Sequence, residues 1–310
     1  MSFTGLHTTE KSIVKALAYF NVFNYPLKKE EIYGFLDSLC DKAKFEKTLN
    51  YLCRQQTIYK HEEFYSLQQE SKLVERRKRG NSLAIKQLKK AERISRFLYH
   101  FPFVKGVAVS GSLSKNFADD KSDIDFFIIT KANRLWLART LMHLFKKLSF
   151  ITGRQHWFCM NYYIDELALE IKEKNIFTAV EIATVLPLQG EFIFKDFIRE
   201  NKWVKEYFPQ HLRWSEPEQE LKEYSIKSVR TIKKRKNTDR LNEWLMNITA
   251  KRWKIKTAKR LRSYSGELMG LDAGIHYAKP DPSNLQRKIL NHYEKEVEAV
   301  MMGLESLKAV

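Results

Sequence analysis

Apolar positions recur at helical spacing from Ile13 onward. Ile13, Ala16, Leu17 and Phe20 fall at i, i+3, i+4 and i+7, one face of a helix. Pro26 interrupts the pattern, and KKEEIYGFL resumes as a short second helix. In DKAKFEKTLNYLCRQQ, Phe45, Leu49, Leu52 and Cys53 share one side of a third helix, with Asp41 placed to cap it. TIYKHEEFYSLQ then reads as two short strands around Lys60–Glu63, a hairpin signal that lacks Asn-Gly. Three helices closed by a hairpin predict a winged-helix-like domain over residues 1–70. Lys42, Lys44, Lys47 and Arg54 on the third helix are its candidate DNA contacts, with a protein-contact or purely structural winged helix as the equal alternative. A strongly basic stretch follows in which Ala84, Leu88, Ala91 and Leu98 keep a helical stripe. It predicts a basic connecting helix over residues 71–100, with RRKRG (Arg76–Gly80) a solvated turn of it.

The pattern changes over residues 101–170. VKGVAVSG and SDIDFFIIT read as strands. NRLWLARTLMHLFKKLSFI carries Leu135, Ala138, Leu141, Met142, Phe145 and Leu148 at helical spacing, and HWFCMNYYI reads as a third strand. Strand, loop, strand, helix, strand predicts an α/β (α+β) core with a mixed sheet. Beyond Ile171 the chain reads as helix throughout, with stripes such as Ile176, Ala179, Val180 and Ala183. Residues 171–310 are thus expected to form a helical, basic C-terminal domain ending in a helix from about Leu285 to Leu307.

Only 11 glycines and 7 prolines among 310 residues agree with a helix-rich chain and argue against a sandwich or propeller. No apolar run approaches the roughly 18 residues of a membrane span. MSFTGLHTTEKS has no signal-peptide pattern. Cys40, Cys53 and Cys159 are odd in number and form no CxxC pair, which excludes a disulfide framework and argues against a cysteine zinc site. A soluble, cytoplasmic protein without a membrane partner is expected, and nothing in the pattern fixes an oligomeric state. Charge adds more. The net value of +18 points to polyanionic partners, and Lys222 to Arg262 holds fifteen Lys/Arg against Glu223, Asp239 and Glu243. Lys233, Lys234, Arg235 and Lys236 are its densest run, while Trp244 and Trp253 are expected to pack inward.

The residues with chemical content are Gly111-Ser112, ten further positions, and Asp123-Ile124-Asp125. Two carboxylates two apart on a strand share a face, about 7 Å apart along the backbone. They repel unless cations stand between them, which suits Mg²⁺ (or Mn²⁺) with its oxygen ligands. Ser110, Gly111 and Ser112 form a small-residue turn where backbone N–H groups and a hydroxyl approach phosphate oxygens. A metal–carboxylate pair facing a phosphate-binding turn is equipment for phosphoryl or nucleotidyl transfer.

This spacing resembles the signature of the nucleotidyltransferase superfamily that includes DNA polymerase beta: apolar-Gly-Gly/Ser, about ten residues, Asp-apolar-Asp. GSLSKNFADDKSDIDFFIIT is similar to the minimal and antibiotic-modifying nucleotidyltransferases. In those, a basic residue follows Gly-Ser by three positions and a Ser precedes the first Asp; here these are Lys115 and Ser122. The resemblance spans roughly Val104 to Ile164. It implies that Gly111, Ser112, Lys115 and Ser122 bind the nucleotide and that Asp123 and Asp125 ligate two divalent cations. It also implies Mg²⁺-dependent transfer of a nucleoside monophosphate from a nucleoside triphosphate to an acceptor hydroxyl, with release of pyrophosphate. The acceptor itself is not readable: small-molecule, protein and nucleic-acid acceptors all occur among such relatives, and the charge tilts the reading mildly towards DNA or RNA.

The family usually adds a third carboxylate on a later strand. The matching residue in HWFCMNYYI is Asn161, which offers a carbonyl oxygen but takes no proton at neutral pH. Asp165 has the same strand parity but lies about 13 Å further along. Asn161 therefore keeps an alternative open: a catalytically weak or inactive nucleotide-binding, DNA-binding regulatory protein. Trp157, Tyr162 and Tyr163 are expected in the core. His143 is expected half-exposed on its helix, and His276 and Asp281 in a loop.

Overall fold

The structure, a computed structural model, describes residues 8–120, 122–149, 159–214, 237–262 and 268–308. Trp157, the start of the expected third strand at His156, and the basic run from Lys222 to Lys236, with Lys233, Lys234 and Arg235, lie outside the described residues.

Helix α1 (Thr8–Asn21) buries the predicted face of Ile13, Ala16, Leu17 and Phe20. After Pro26 come β1 (Leu27–Lys28), α2 (Lys29–Gly34) and α3 (Lys42–Arg54). Asp41 caps α3, its Oδ1 accepting the Lys44 N–H at 2.9 Å, and Phe45, Leu49 and Leu52 face inward. Strands β2 (Tyr59–His61) and β3 (Phe64–Ser66) form the hairpin, and β1 pairs with the other edge of β3. Glu62 takes the left-handed turn conformation (φ 54°) that Asn or Gly would adopt more cheaply, so the turn carries no strong sequence signal.

Helix α4 (Lys72–Tyr99) runs about 42 Å at 1.5 Å per residue. Its RRKRG run corrects the solvated-turn expectation. Arg77 is buried, donates to Pro26 O at 2.9 Å and Glu31 at 2.7 Å, and lies 3.7 Å from the Tyr25 ring centre. Arg76 pairs with Asp119, Lys78 with Glu62, and Arg79 with Asp120. The run is thus neutralised by acids brought in from α2, the hairpin turn and the loop at Asp119–Asp120. Gly80 is required here because a Cβ would lie 2.2 Å from the Phe117 ring.

The central sheet contains β4 (Val104–Val109), β5 (Asp125–Thr130), β6 (Cys159–Asp165), β7 (Leu186–Gln189), β8 (Gly270–Ala273) and β9 (Tyr277–Asp281). Their order is β7-β4-β5-β6-β9-β8. Among the described strands only β5–β6 is parallel, bridged by a crossover that includes α6 (Leu135–Ser149), so the sheet is mixed, as expected. The other described α-helices are α5 (Gly111–Ser114), α7 (Ile176–Thr184), α8 (Glu191–Glu200), α9 (Val204–Tyr207), α10 (Asn237–Leu261) and α11 (Leu285–Lys308).

The expectation of helix alone beyond Ile171 is corrected: β7, β8 and β9 all join the sheet. They are four or five residues long, and LPLQ and YAKPD carry prolines. Pro187 lies on an edge strand, and Pro280 faces Leu271 of β8 beyond the stretch that β9 shares with β6; both are places where a missing N–H is tolerated.

Both faces of the sheet are covered. On one, Phe127, Ile129 and Ile164 meet Ala179 and Val180 of α7 and Phe194 and Phe197 of α8, continuous with the core beneath α1 and α11. On the other, Phe126, Ile128 and Tyr163 pack against Ala84, Ala91 and Leu98 of α4 and Leu135, Trp136 and Met142 of α6. Asn242 of α10 is fully buried, its Oδ1 accepting the Trp136 N–H at 2.9 Å, which fixes α10 on the start of α6. Among the described residues no helix is long and apolar enough to cross a membrane.

Candidate active site

The site forms where β4 hands over to β5. After β4 the chain turns at Ser110, whose N–H donates to Asp125 O at 2.9 Å, so the turn stands against the first residue of β5. Gly111 has φ +67°, and a Cβ there would lie 2.6 Å from Asp125 Oδ2. Left-handed backbone and close approach to a carboxylate together admit only glycine. The single turn of α5 delivers Lys115, whose Nζ donates to Gly111 O at 2.9 Å and to Glu181 Oε1 at 2.7 Å. Glu181 Oε2 accepts the Gly111 N–H at 3.0 Å. One carboxylate therefore holds both the backbone amide and the lysine of this turn.

Glu181 comes from α7, in which it is the single charged residue. Asn175 caps its start by accepting the Thr178 N–H at 3.1 Å, and Arg213 donates to the Ala183 carbonyl at 2.6 Å at its end. The Tyr25 hydroxyl donates to the Lys115 carbonyl, so the loop between α1 and β1 also touches the turn.

The aspartates differ in setting. β5 begins at Asp125, so Asp123 precedes the strand rather than lying within it as expected. Ile124 between them is buried, Asp123 is exposed and Asp125 is half-buried. The Asp125 carboxyl is pushed up to about 7, first by burial and then by the negative charges of Glu181 and Asp123; Lys115 and a hydrogen bond from Asn161 oppose the rise.

Asn161 faces the site, its Nδ2 donating to Asp125 Oδ1. A bulge puts it there. Phe126 faces Met160 and Phe127 faces Tyr162, leaving Asn161 unpaired between them. The extra residue reverses side-chain alternation: Met160 and Tyr163 lie in one core, Tyr162 and Ile164 against the other. Asp165 consequently belongs elsewhere. It is fully buried and accepts from Asn133 N at 2.9 Å, Leu167 N at 3.0 Å and His276 Nδ1 at 2.9 Å.

Ser122 and Ser112 stand apart from these contacts. Ser122 Oγ accepts the Asp119 N–H at 2.9 Å and shapes the loop leading to Asp123. Ser112 is exposed at the turn, its carbonyl accepting from Lys115 N and Phe117 N. The structure thus joins Gly111, Lys115, Asp125 and Asn161 directly, with Asp123 coupled through its charge. Sequence reasoning missed Glu181 and Tyr25; the available signal for the first was a lone acid within the apolar run IFTAVEIAT.

The other candidates are structural. Tyr162 packs on Phe127 at 5.6 Å, and Tyr163 is fully buried with its hydroxyl donating to Met160 Sδ. His143 is held neutral, its pKa pushed down to about 3 by burial. Asp281 caps α11 through Leu285 N at 2.9 Å. Trp253 packs against Trp136 as expected, whereas Trp244 is 57% exposed, which corrects its inward assignment.

The donor set around Asp125 is oxygen-rich, and its pKa is raised by burial first and then by the charges of Glu181 and Asp123, the part that a divalent cation would offset. Among the described residues no group of three His, Cys, Asp or Glu converges as a closed metal site. Asp123 and Asp125 are the two carboxylates of the turn that could be offered to a cation completing its shell with water, the habit of Mg²⁺.

Residues 88–263, from the middle of α4 through α10, match the family model described as a nucleotidyltransferase domain. No curated protein and no solved structure matches the chain. The matched stretch is more than half of the chain and contains the Gly111 turn and both aspartates, so the chain belongs to the nucleotidyltransferase domain family, whose general activity is nucleoside monophosphate transfer.

Proposed function

We propose that the protein is a divalent-metal-dependent nucleotidyltransferase that moves a nucleoside monophosphate from a nucleoside triphosphate to an acceptor hydroxyl and releases pyrophosphate. The observation that carries this is the convergence of Gly111, Lys115 and Asp125 at one end of the sheet, within a matched nucleotidyltransferase domain. In this reading the Gly111 amide and the Lys115 ammonium bind the phosphate chain, and the exposed Ser112 hydroxyl lies beside them. Asp123 and Asp125 would hold Mg²⁺ or Mn²⁺, which supplies charge neutralisation on the phosphate oxygens. Asn161 orients Asp125 through its Nδ2. The chain's own contribution is positioning and fixed charge.

The acceptor in this reading is DNA or RNA. Lys42, Lys44, Lys47 and Arg54 are exposed on α3, and Lys251, Arg252, Lys254, Lys256 and Lys259 on α10. A second reading, a nucleotide-binding, DNA-binding regulator without turnover, is favoured by Asn161 standing against Asp125 where an acid is expected.

Incubation of the protein with Mg²⁺ and each α-labelled nucleoside triphosphate, with and without DNA or RNA, separates the two. Label transfer abolished by Asp123→Asn/Asp125→Asn is the expected result. Mg²⁺-dependent triphosphate binding without transfer is the signature of the regulator. Absence of any triphosphate binding by the wild-type chain overturns both.

A further inference from the structure

We infer that Glu181 is a built-in anion seated in the phosphate site: its carboxylate occupies the Gly111 amide and the Lys115 ammonium in the nucleotide-free protein, and a phosphate chain binds by displacing it. The inference rests on the proposed reading of the Gly111 turn as phosphate-binding.

Geometry carries the argument. The two carboxylate oxygens divide between two different donors, Oε1 to Lys115 Nζ at 2.7 Å and Oε2 to Gly111 N–H at 3.0 Å. A backbone amide and an ammonium meeting on one anion form the donor pair that would receive a phosphate oxygen. Lys115 also donates to Gly111 O at 2.9 Å, so the lysine is pinned to the turn and cannot follow Glu181 elsewhere without losing that bond. Both partners are withdrawn from water, Lys115 at 14% and Glu181 at 24% side-chain exposure, so an unpartnered charge at either position is costly.

A purely structural ion pair is poorly served by this location. The bonds of Glu181 are to the Gly111 amide and the Lys115 ammonium of the turn itself, beside the Asp125 carboxylate that the Gly111 backbone approaches, so its negative charge stands where the proposed ligand's charge would stand. Carboxylate and phosphate cannot both occupy Lys115 and the Gly111 amide, because two anions on the same two donors repel at contact. A ligand must therefore replace both bonds at once. A polyphosphate chain brings more anionic oxygens and an accompanying cation to that exchange than a lone orthophosphate does, so competition from Glu181 favours polyphosphate ligands over orthophosphate.

The test uses the full chain and inorganic tripolyphosphate, which removes the unknown base from the question. Calorimetry with and without Mg²⁺ compares wild type, Glu181→Ala, Glu181→Gln, Lys115→Ala and Lys115→Ala/Glu181→Ala, with circular dichroism checking that each is folded. Glu181→Ala should bind about tenfold more tightly than wild type, the scale of one charge-assisted hydrogen bond no longer competed for. It should also acquire measurable affinity for orthophosphate. Glu181→Gln, uncharged but still able to accept from the amide, should fall between. In the Lys115→Ala background the substitution at Glu181 should have much less effect, because its main partner is gone. Equal or weaker tripolyphosphate binding by Glu181→Ala overturns the inference and leaves the proposed nucleotide site standing. If Glu181→Ala does not fold, equal or weaker binding by Glu181→Gln has the same force. Failure of wild type and both Glu181 variants to bind tripolyphosphate overturns the phosphate-binding turn itself, and the inference with it.

Discussion

Asp125→Asn should stabilise the metal-free protein, and the gain should depend on pH. The Asp125 carboxyl is raised from 3.8 to about 7, by burial first and then by Glu181 and Asp123. The folded state therefore holds this proton more tightly than the unfolded chain. Between about pH 4 and about pH 7 the unfolded chain is ionised while the folded site is still protonated, so stability falls as pH rises. Above about pH 7 both are ionised and the full cost of the charge is present. At about 1.36 kcal/mol per pKa unit that cost is at most about 4 kcal/mol, and the half-open site brings the expected gain to about 1–3 kcal/mol. Asparagine keeps the shape, removes the charge and still offers an oxygen to Asn161 Nδ2. Urea unfolding in a chelating buffer should show midpoints that coincide near about pH 4, diverge through about pH 7 and then run parallel, with unchanged slopes. Added Mg²⁺ should raise the wild-type midpoint and leave the variant's in place, since only a state that binds the ion gains from it. A variant no more stable than wild type at about pH 8 without metal would show that Asp125 is not held against desolvation and like charge, and the electrostatic account of the site would fall.

Two further predictions concern the Gly111 turn and, at the far end of β6, the His276–Asp165 pair. Gly111→Ala places a side chain at φ +67° with its Cβ 2.6 Å from Asp125 Oδ2, so the urea midpoint should fall by an amount equivalent to about 2 kcal/mol and tripolyphosphate binding should be lost; an unchanged midpoint contradicts the backbone argument. His276 is raised above its ordinary pKa by its hydrogen bond to Asp165, with burial opposing, so its stabilising contribution is complete below about pH 6.5 and fades as pH rises through the folded value. The stability difference between wild type and His276→Asn should accordingly be largest at low pH and shrink above neutrality, and a difference that grows with pH rejects the pairing.

What was legible in the sequence was what is local. The i, i+3, i+4 stripes of α1, α3 and α4 were readable because burial of one helical face leaves its period in the chain, and Asp41 was readable because a cap lies beside the helix it closes. The RRKRG run was misread because its partners Glu31, Glu62, Asp119 and Asp120 come from other elements, and a charge run looks the same whether solvated or neutralised. Strands β7, β8 and β9 were missed because strands this short, two of them with a proline, carry no alternation to count.

The site divides along the same line. Gly111 and the aspartates lie within fifteen residues of one another, so their spacing alone placed the turn against the head of β5. Asn161 was placed on the correct strand, but strict alternation gave it the parity of Asp165, and one bulged residue separates the two onto different sides of the sheet. Glu181 lies 70 residues from Gly111 on a helix whose stripe is apolar, and no rule of spacing joins them. Yet an acid in IFTAVEIAT is costly unless something positive faces it, and Lys115 is the basic residue that the small-residue turn fixes at a definite place. Burial without an evident partner is therefore the sequence's own indication that a distant partner exists. Here that partner is the same lysine that would receive a phosphate.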